Sequence, residues 1–144
     1  MPGPQFATPQ PVHPSKPRQR FTLEQANKTL PLVKRIVQDV VNSHEHAAEL
    51  QAKLAAGLTG KDMQAVQTDL EGTLEHLQGY VDELAGIGCE LKDYATGLVD
   101  FVGRHQGRDV CLCWKLGEET IGYWHEVKAG FAGRQPVASL VEGE

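Results

Sequence analysis

An α+β fold is predicted, with an antiparallel hairpin of long amphipathic helices first and a small antiparallel β-meander after it. Three observations carry that expectation. Apolar residues recur at alternating threes and fours from Leu30 to Leu54 and again from Met63 to Leu84, the signature of helices with one buried face. The break between them, Gly57 to Gly60, is too short for any arrangement but antiparallel. Beyond Gly86 and Gly88 the runs become short and rich in β-branched and aromatic residues, so sheet follows helix along the chain.

A chain of 144 residues suffices for one domain with a true core but not for two. Residues 1–20 hold six of the eight prolines, no acidic group, and Lys16, Arg18 and Arg20. Such a segment cannot bury enough apolar surface to offset its ordering entropy, and it reads as a disordered basic tail. A single domain is expected over 21–137, with the hairpin over 22–86, the meander and a closing loop over 88–137, and a flexible tail over 138–144. The formal net charge of -5 disfavours broad contact with phosphate backbones, so no nucleic-acid partner is expected. No apolar stretch approaches the ~20 residues of a membrane span, and the cationic start and apolar block of a signal peptide are missing. A cytoplasmic location away from membranes is the expectation. Three cysteines, two of them spaced C-x-C, make no disulfide framework.

Thr22 followed by Gln25 predicts a capping box, with Phe21 as the apolar staple before it. Pro31 lies too deep for a first-turn proline, so a short helix over 22–29 and a restart with Thr29 as second cap are expected. Leu30, Val33, Val37, Val40, His44, Ala47, Gln51 and Leu54 line one seam, and Met63, Val66, Leu70, Leu74, Leu77, Val81 and Leu84 the other. At ~1.5 Å per residue the hairpin is about 40 Å long. Because a lone hairpin buries only one side of each helix, it must pack on the C-terminal part or on a second copy, and a homodimer through the hairpin is expected. His44 sits in the seam, facing Leu74 or Leu77, where it would set the register of the two helices.

The strand-like runs are Cys89 to Asp93, Leu98 to Phe101, Val110 to Leu116 and Ile121 to Glu126, separated by YATG, GRHQGRD and GEET. If GEET closes a tight turn, Trp114 opposes Tyr123, Cys113 opposes Trp124 and Leu112 opposes His125. Leu112, Trp114, Leu116, Ile121, Tyr123 and His125 then form the core face. The other face carries Cys111, Cys113, Lys115, Trp124 and Glu126, too polar for a core and too aromatic for plain exposure. That face is the expected binding surface, through Cys113, Lys115, Trp124 and Glu126, with Arg134 of the glycine-flanked GFAGR as a lid or anion donor. The turn YATG places Leu91, Asp93, Leu98 and Asp100 on one side, where Asp100 would orient His125 or Arg134 and both aspartates would otherwise serve turn and edge hydrogen bonds.

A divalent metal held by His125 with Asp100 or Asp93 is the one cofactor this pattern offers. Cys111 and Cys113 would share a face about 7 Å apart, but the expected register sends His125 to the opposite face, against both a thiol metal site and a Cys113–His125 nucleophile. His44 and His46 stand two apart and cannot chelate together, and no Glu-x-x-His pair lies on the helices. No Walker lysine motif and no G-x-G-x-x-G follows a strand, so nothing points to a nucleotide.

The blocks FTLEQANKTLPLV, LKDYATGLVDF and LCWKLGEETIGYWHEVKAGFAGRQP, in that order over residues 21–137, resemble the bacterial domain-of-unknown-function family 2203. The resemblance implies a helical-hairpin protein with a signature-bearing C-terminal segment and assigns no catalytic role to any residue. The function expected from the residues is a non-catalytic protein-interaction or small-ligand-binding module. The rival is a small metal-dependent or anion-binding enzyme using His125, Glu126, Asp100 and Arg134.

Overall fold

A computed structural model describes residues 19–142; the expected disordered tail lies, over 1–18, outside the described residues. Two helices, α1 (Leu23–Ala55) and α2 (Gly60–Ile87), form the hairpin. Strands β1 (Cys89–Asp93), β2 (Leu98–His105), β3 (Arg108–Lys115), β4 (Tyr123–Glu126) and β5 (Gln135–Pro136) follow, and helix α3 (Val137–Glu142) closes the described chain. The strands form one antiparallel sheet in chain order. Hairpin and meander therefore stand as expected, with β2 and β3 longer, β4 two residues shorter, and a fifth, two-residue strand added.

Helix α1 begins at the capping box: the Gln25 amide donates to Thr22 Oγ1 at 3.1 Å, and the Thr22 amide to Gln25 Oε1 at 3.0 Å. The expected break at Pro31 does not occur. Pro31 lies inside a continuous helix with its ring exposed, and Thr29 Oγ1 donates to Ala26 O instead of capping a second helix. An interior proline costs about 3 kcal/mol, whereas burying each large apolar side chain is worth about 1.5–3 kcal/mol. Leu30, Val33, Ile36, Val37 and Val40 are all buried around that point, so packing outweighs the local cost. Helix α2 stops at Gly88, whose φ of 116° lies in the left-handed region and whose missing Cβ would stand 2.8 Å from the Phe21 ring.

The core lies between the hairpin and one face of the sheet. Phe21, Leu30, Val33 and Val37 meet Leu77, Val81 and Leu84 over Val99, Phe101, Leu112, Trp114 and Trp124. A smaller cluster of Ala47, Leu50 and Leu70 marks the far end of the hairpin, which packs on itself. His44 is half-buried with its ring edge-on to Tyr94 at 5.9 Å, so the seam histidine meets the β1–β2 turn. Where a flexible tail was expected from residue 138, α3 forms and buries Leu140 in the core.

Two connections correct the expected strand geometry. GRHQGRD is not a loop: His105 pairs with Arg108 across Gln106 and Gly107, both at positive φ (51° and 77°), so β2 and β3 run on to a two-residue hairpin. GEET is not a tight turn. Residues 116–122 form a longer loop held by the Trp114 indole donating to Glu118 O (2.9 Å), the Lys115 amide to Glu118 Oε1 (2.7 Å), and the Ile121 amide to Asn27 Oδ1 of α1 (2.9 Å). The β3–β4 register is consequently one residue off the expected one, with Leu112 opposite Trp124, Cys113 opposite Tyr123 and Cys111 opposite His125. Since strand side chains alternate, that slip exchanges the faces of every β4 residue. Trp124 is interior at 4% exposure and Tyr123 outward at 39%, and His125 joins Cys111 and Cys113 on the sheet face turned away from the helices.

Candidate functional site

The outer face of the sheet carries a cavity of about 510 Å³. Its floor is the pair Asp100 and His125, its apolar walls include Leu98, Val102, Val127 and Phe131, and Cys111 borders it. Two ion pairs stand at the rim. Arg20 grips Asp109 with two bonds of 2.8 and 2.9 Å, and Lys92 meets Glu90 at 3.1 Å. The Arg20 guanidinium holds the Asp109 carboxyl below the usual carboxylate range.

Asp100 and His125 are 6% and 3% exposed. His125 Nε2 stands 3.1 Å from each Asp100 oxygen, and Nδ1 stands 2.8 Å from the Glu126 carbonyl oxygen. A carbonyl only accepts, so Nδ1 carries a proton and donates it there. Cys113, opposite Asp100 in the β2–β3 register, completes a buried group in which one ligand-type atom from each of Asp100, Cys113 and His125 lies within 4.8 Å of the others. Burial, with the Asp100 carboxylate beside it, pushes the Cys113 thiol up to about 12 against the opposing pull of Arg134. A nucleophilic cysteine needs the reverse shift.

The other expected residues are distributed differently. Asp93 serves the turn, accepting from the Ala95 amide at 3.1 Å and the Thr96 hydroxyl at 2.7 Å, and does not join His125. Trp124 faces the core, donating from its indole to Ser139 Oγ at 3.0 Å beside the buried ring of His105 at 5.4 Å. Glu126 has the Trp124 parity and is clasped by Arg108, which lowers its carboxyl, so it offers the cavity only its carbonyl bond to His125. Arg134 is not an open anion clamp. Its guanidinium donates to Glu118 at 2.7 Å and stacks over Tyr123 (4.2 Å) and Phe131 (4.8 Å), pinning the 130–134 segment across the sheet edge. Lys115 lies on the same side, its ammonium 5.9 Å from the Phe131 ring centre. Asp100 and His125 are thus brought together, while Glu126, Arg134 and Asp93 are engaged elsewhere.

Sequence reasoning missed the cavity walls. Val102 fell between the run expected to end at Phe101 and the turn GRHQGRD, and Arg20 inside a tail; the Phe21 amide in fact donates to Val102 O at 2.8 Å, which seats both beside the sheet. The one available signal was the Gln106-Gly107 dipeptide, a two-residue turn that would have extended β2 past Phe101.

A hairpin packed on one face of a meander whose other face is hollowed to small-molecule size defines a two-layer α+β protein with a ligand-sized cavity. The chain belongs to the family of uncharacterized conserved proteins DUF2203, whose profile matches residues 19–137. No curated protein and no solved structure matches the chain.

Proposed function

We propose that this protein is a cytoplasmic small-ligand-binding module that takes a small molecule with an apolar body and one polar group into the outer-face cavity. The observation that carries the reading is the cavity itself: its volume of about 510 Å³ falls within the roughly 300–1,000 Å³ of small-molecule sites. Its lining supports the same view, with apolar walls around one buried polar pair. Each rim ion pair is internally neutralised, so recognition rests on shape and on the floor and not on net rim charge. A protein-interaction role anchored on Trp124 loses its support, because that ring is interior. Homodimerisation through the hairpin belongs to this reading as a separate property.

Ligand-detected NMR with a library of aromatic and aliphatic carboxylate, amide and imidazole fragments tests it. Fragments should bind the full chain and be displaced from it when Val102→Trp fills the cavity, with Val127→Trp as an independent filling variant. Absence of binders, or binders indifferent to both folded variants, would remove the cavity as the functional site.

A further inference from the structure

We propose that Asp100, Cys113 and His125 form a three-ligand site for a zinc-class divalent cation, with the remaining coordination position open to the outer-face cavity. The three donors come from three adjacent strands, β2, β3 and β4, so a rigid hydrogen-bonded scaffold presents them. Their ligand atoms already lie within 4.8 Å of one another, and all three residues are buried.

The imidazole supplies the decisive detail. Its Nδ1 proton is committed to the Glu126 carbonyl at 2.8 Å, which leaves Nε2, in a neutral ring, with only a lone pair. That lone pair points at both Asp100 oxygens at 3.1 Å, which in a carboxylate also only accept. Two acceptors held face to face out of water require a positive centre between them, either an extra proton or a metal ion. Metal-binding histidines are held in this way, one nitrogen donating to a carbonyl or carboxylate so that the other is aimed at the ion.

Cys113 decides between those two centres. A lone proton would satisfy Asp100 and His125 and needs no third donor, whereas a nitrogen, an oxygen and a sulfur converging on one point match the tetrahedral preferences of zinc, with bonds of about 2.0–2.3 Å. On binding, the Cys113 S–H bond breaks, a sulfur–metal bond forms, and the proton leaves to solvent. Asp93, offered by the sequence as an alternative to Asp100 beside His125, stays in its turn, and Cys113 joins the pair because the β3–β4 register puts Cys113 and His125 on one face. Three protein ligands with an open position characterise sites that exchange a ligand, as opposed to closed structural ones. The class of molecule taken up then narrows to those with a metal-coordinating head, such as a carboxylate, thiol or imidazole. That narrowing rests on the cavity reading; the metal site itself does not.

The test is titration of cobalt(II) into chelator-treated full chain, followed by absorption spectroscopy with no fragment present. One cobalt per chain should bind, with a thiolate-to-cobalt charge-transfer band. Cys113→Ser should abolish the band and weaken uptake at least about tenfold, and Asp100→Asn should weaken uptake while retaining the band at saturating metal. Cys111→Ser and Asp93→Asn should leave both unchanged. No stoichiometric uptake, a band that follows Cys111, or full uptake in Cys113→Ser each overturns the proposal and leaves a proton between Asp100 and His125. Fragment binding by metal-free protein would then sustain the cavity reading alone; cobalt uptake without any fragment binding would sustain the metal site alone.

Discussion

Cutting the buried Asp100–His125 pair from either side should destabilise the metal-free protein unequally. The side chains are 7% and 3% exposed and meet at 3.1 Å. At an effective dielectric of about 20, unit charges at that distance attract by roughly 5 kcal/mol, most of it offset by desolvation. Removing one partner of such a pair costs about 3–5 kcal/mol, because the survivor stays buried alone. His125→Ala strands a carboxylate with only the Cys113 thiol beside it and should fall at the upper end of that range. Asp100→Ala leaves an imidazole that can remain neutral and still donate from Nδ1 to Glu126 O, and should fall at or below the lower end. The double variant should cost less than the sum of the two by about 1 kcal/mol or more, as contacting residues in one network do. Urea unfolding at neutral pH in the presence of chelator measures all three. Losses under about 1 kcal/mol for His125→Ala, the reverse order, or strict additivity would refute the buried-pair reasoning.

Four further outcomes follow from the packing. Trp124→Ala should cost about 3–5 kcal/mol and Tyr123→Ala far less, since only the first empties core volume; chemical unfolding that gave the opposite order would restore the register expected from sequence. Gly97→Ala should cost about 2–5 kcal/mol, because φ is 74° and the new Cβ would meet Val37 Cγ1 at 2.7 Å and Leu116 Cβ at 2.9 Å, and a thermal melt within a degree of the parent would contradict that clash. Burial pushes the Cys89 thiol from 9.0 up to about 12, so the folded state keeps a proton the unfolded chain loses; its contribution to stability should be constant below pH 9 and fall between pH 9 and 12, and Cys89→Ala should lessen the slope over that range in unfolding measured against pH. Sedimentation at micromolar concentration should show a dimer through the hairpin, and a clean monomer would remove that expectation.

What the sequence determined by itself was whatever depends on local chemistry and period. Thr22 and Gln25 announce the helix start, the threes and fours from Leu30 to Leu84 announce two antiparallel helices, and the change of period after Gly88 announces the sheet. The nearness of Asp100 to His125 was also legible as an option, because both fell on strand-like runs of one small meander, separated by a single run. Pro31 was misjudged because its cost is local while its compensation, the burial of Leu30, Val33 and Val37, is tertiary. The face assignment of β4 was beyond local reasoning for a sharper reason. Tyr123, Trp124 and His125 offer aromatic rings on both parities, so neither register violates the pattern. The choice is made by the loop over 116–122, anchored by Glu118 within its own turn and by Asn27 of α1, 94 positions away from Ile121. One residue of slip, set by that distant amide bond, carries Trp124 into the core and turns His125 toward Asp100 and Cys113.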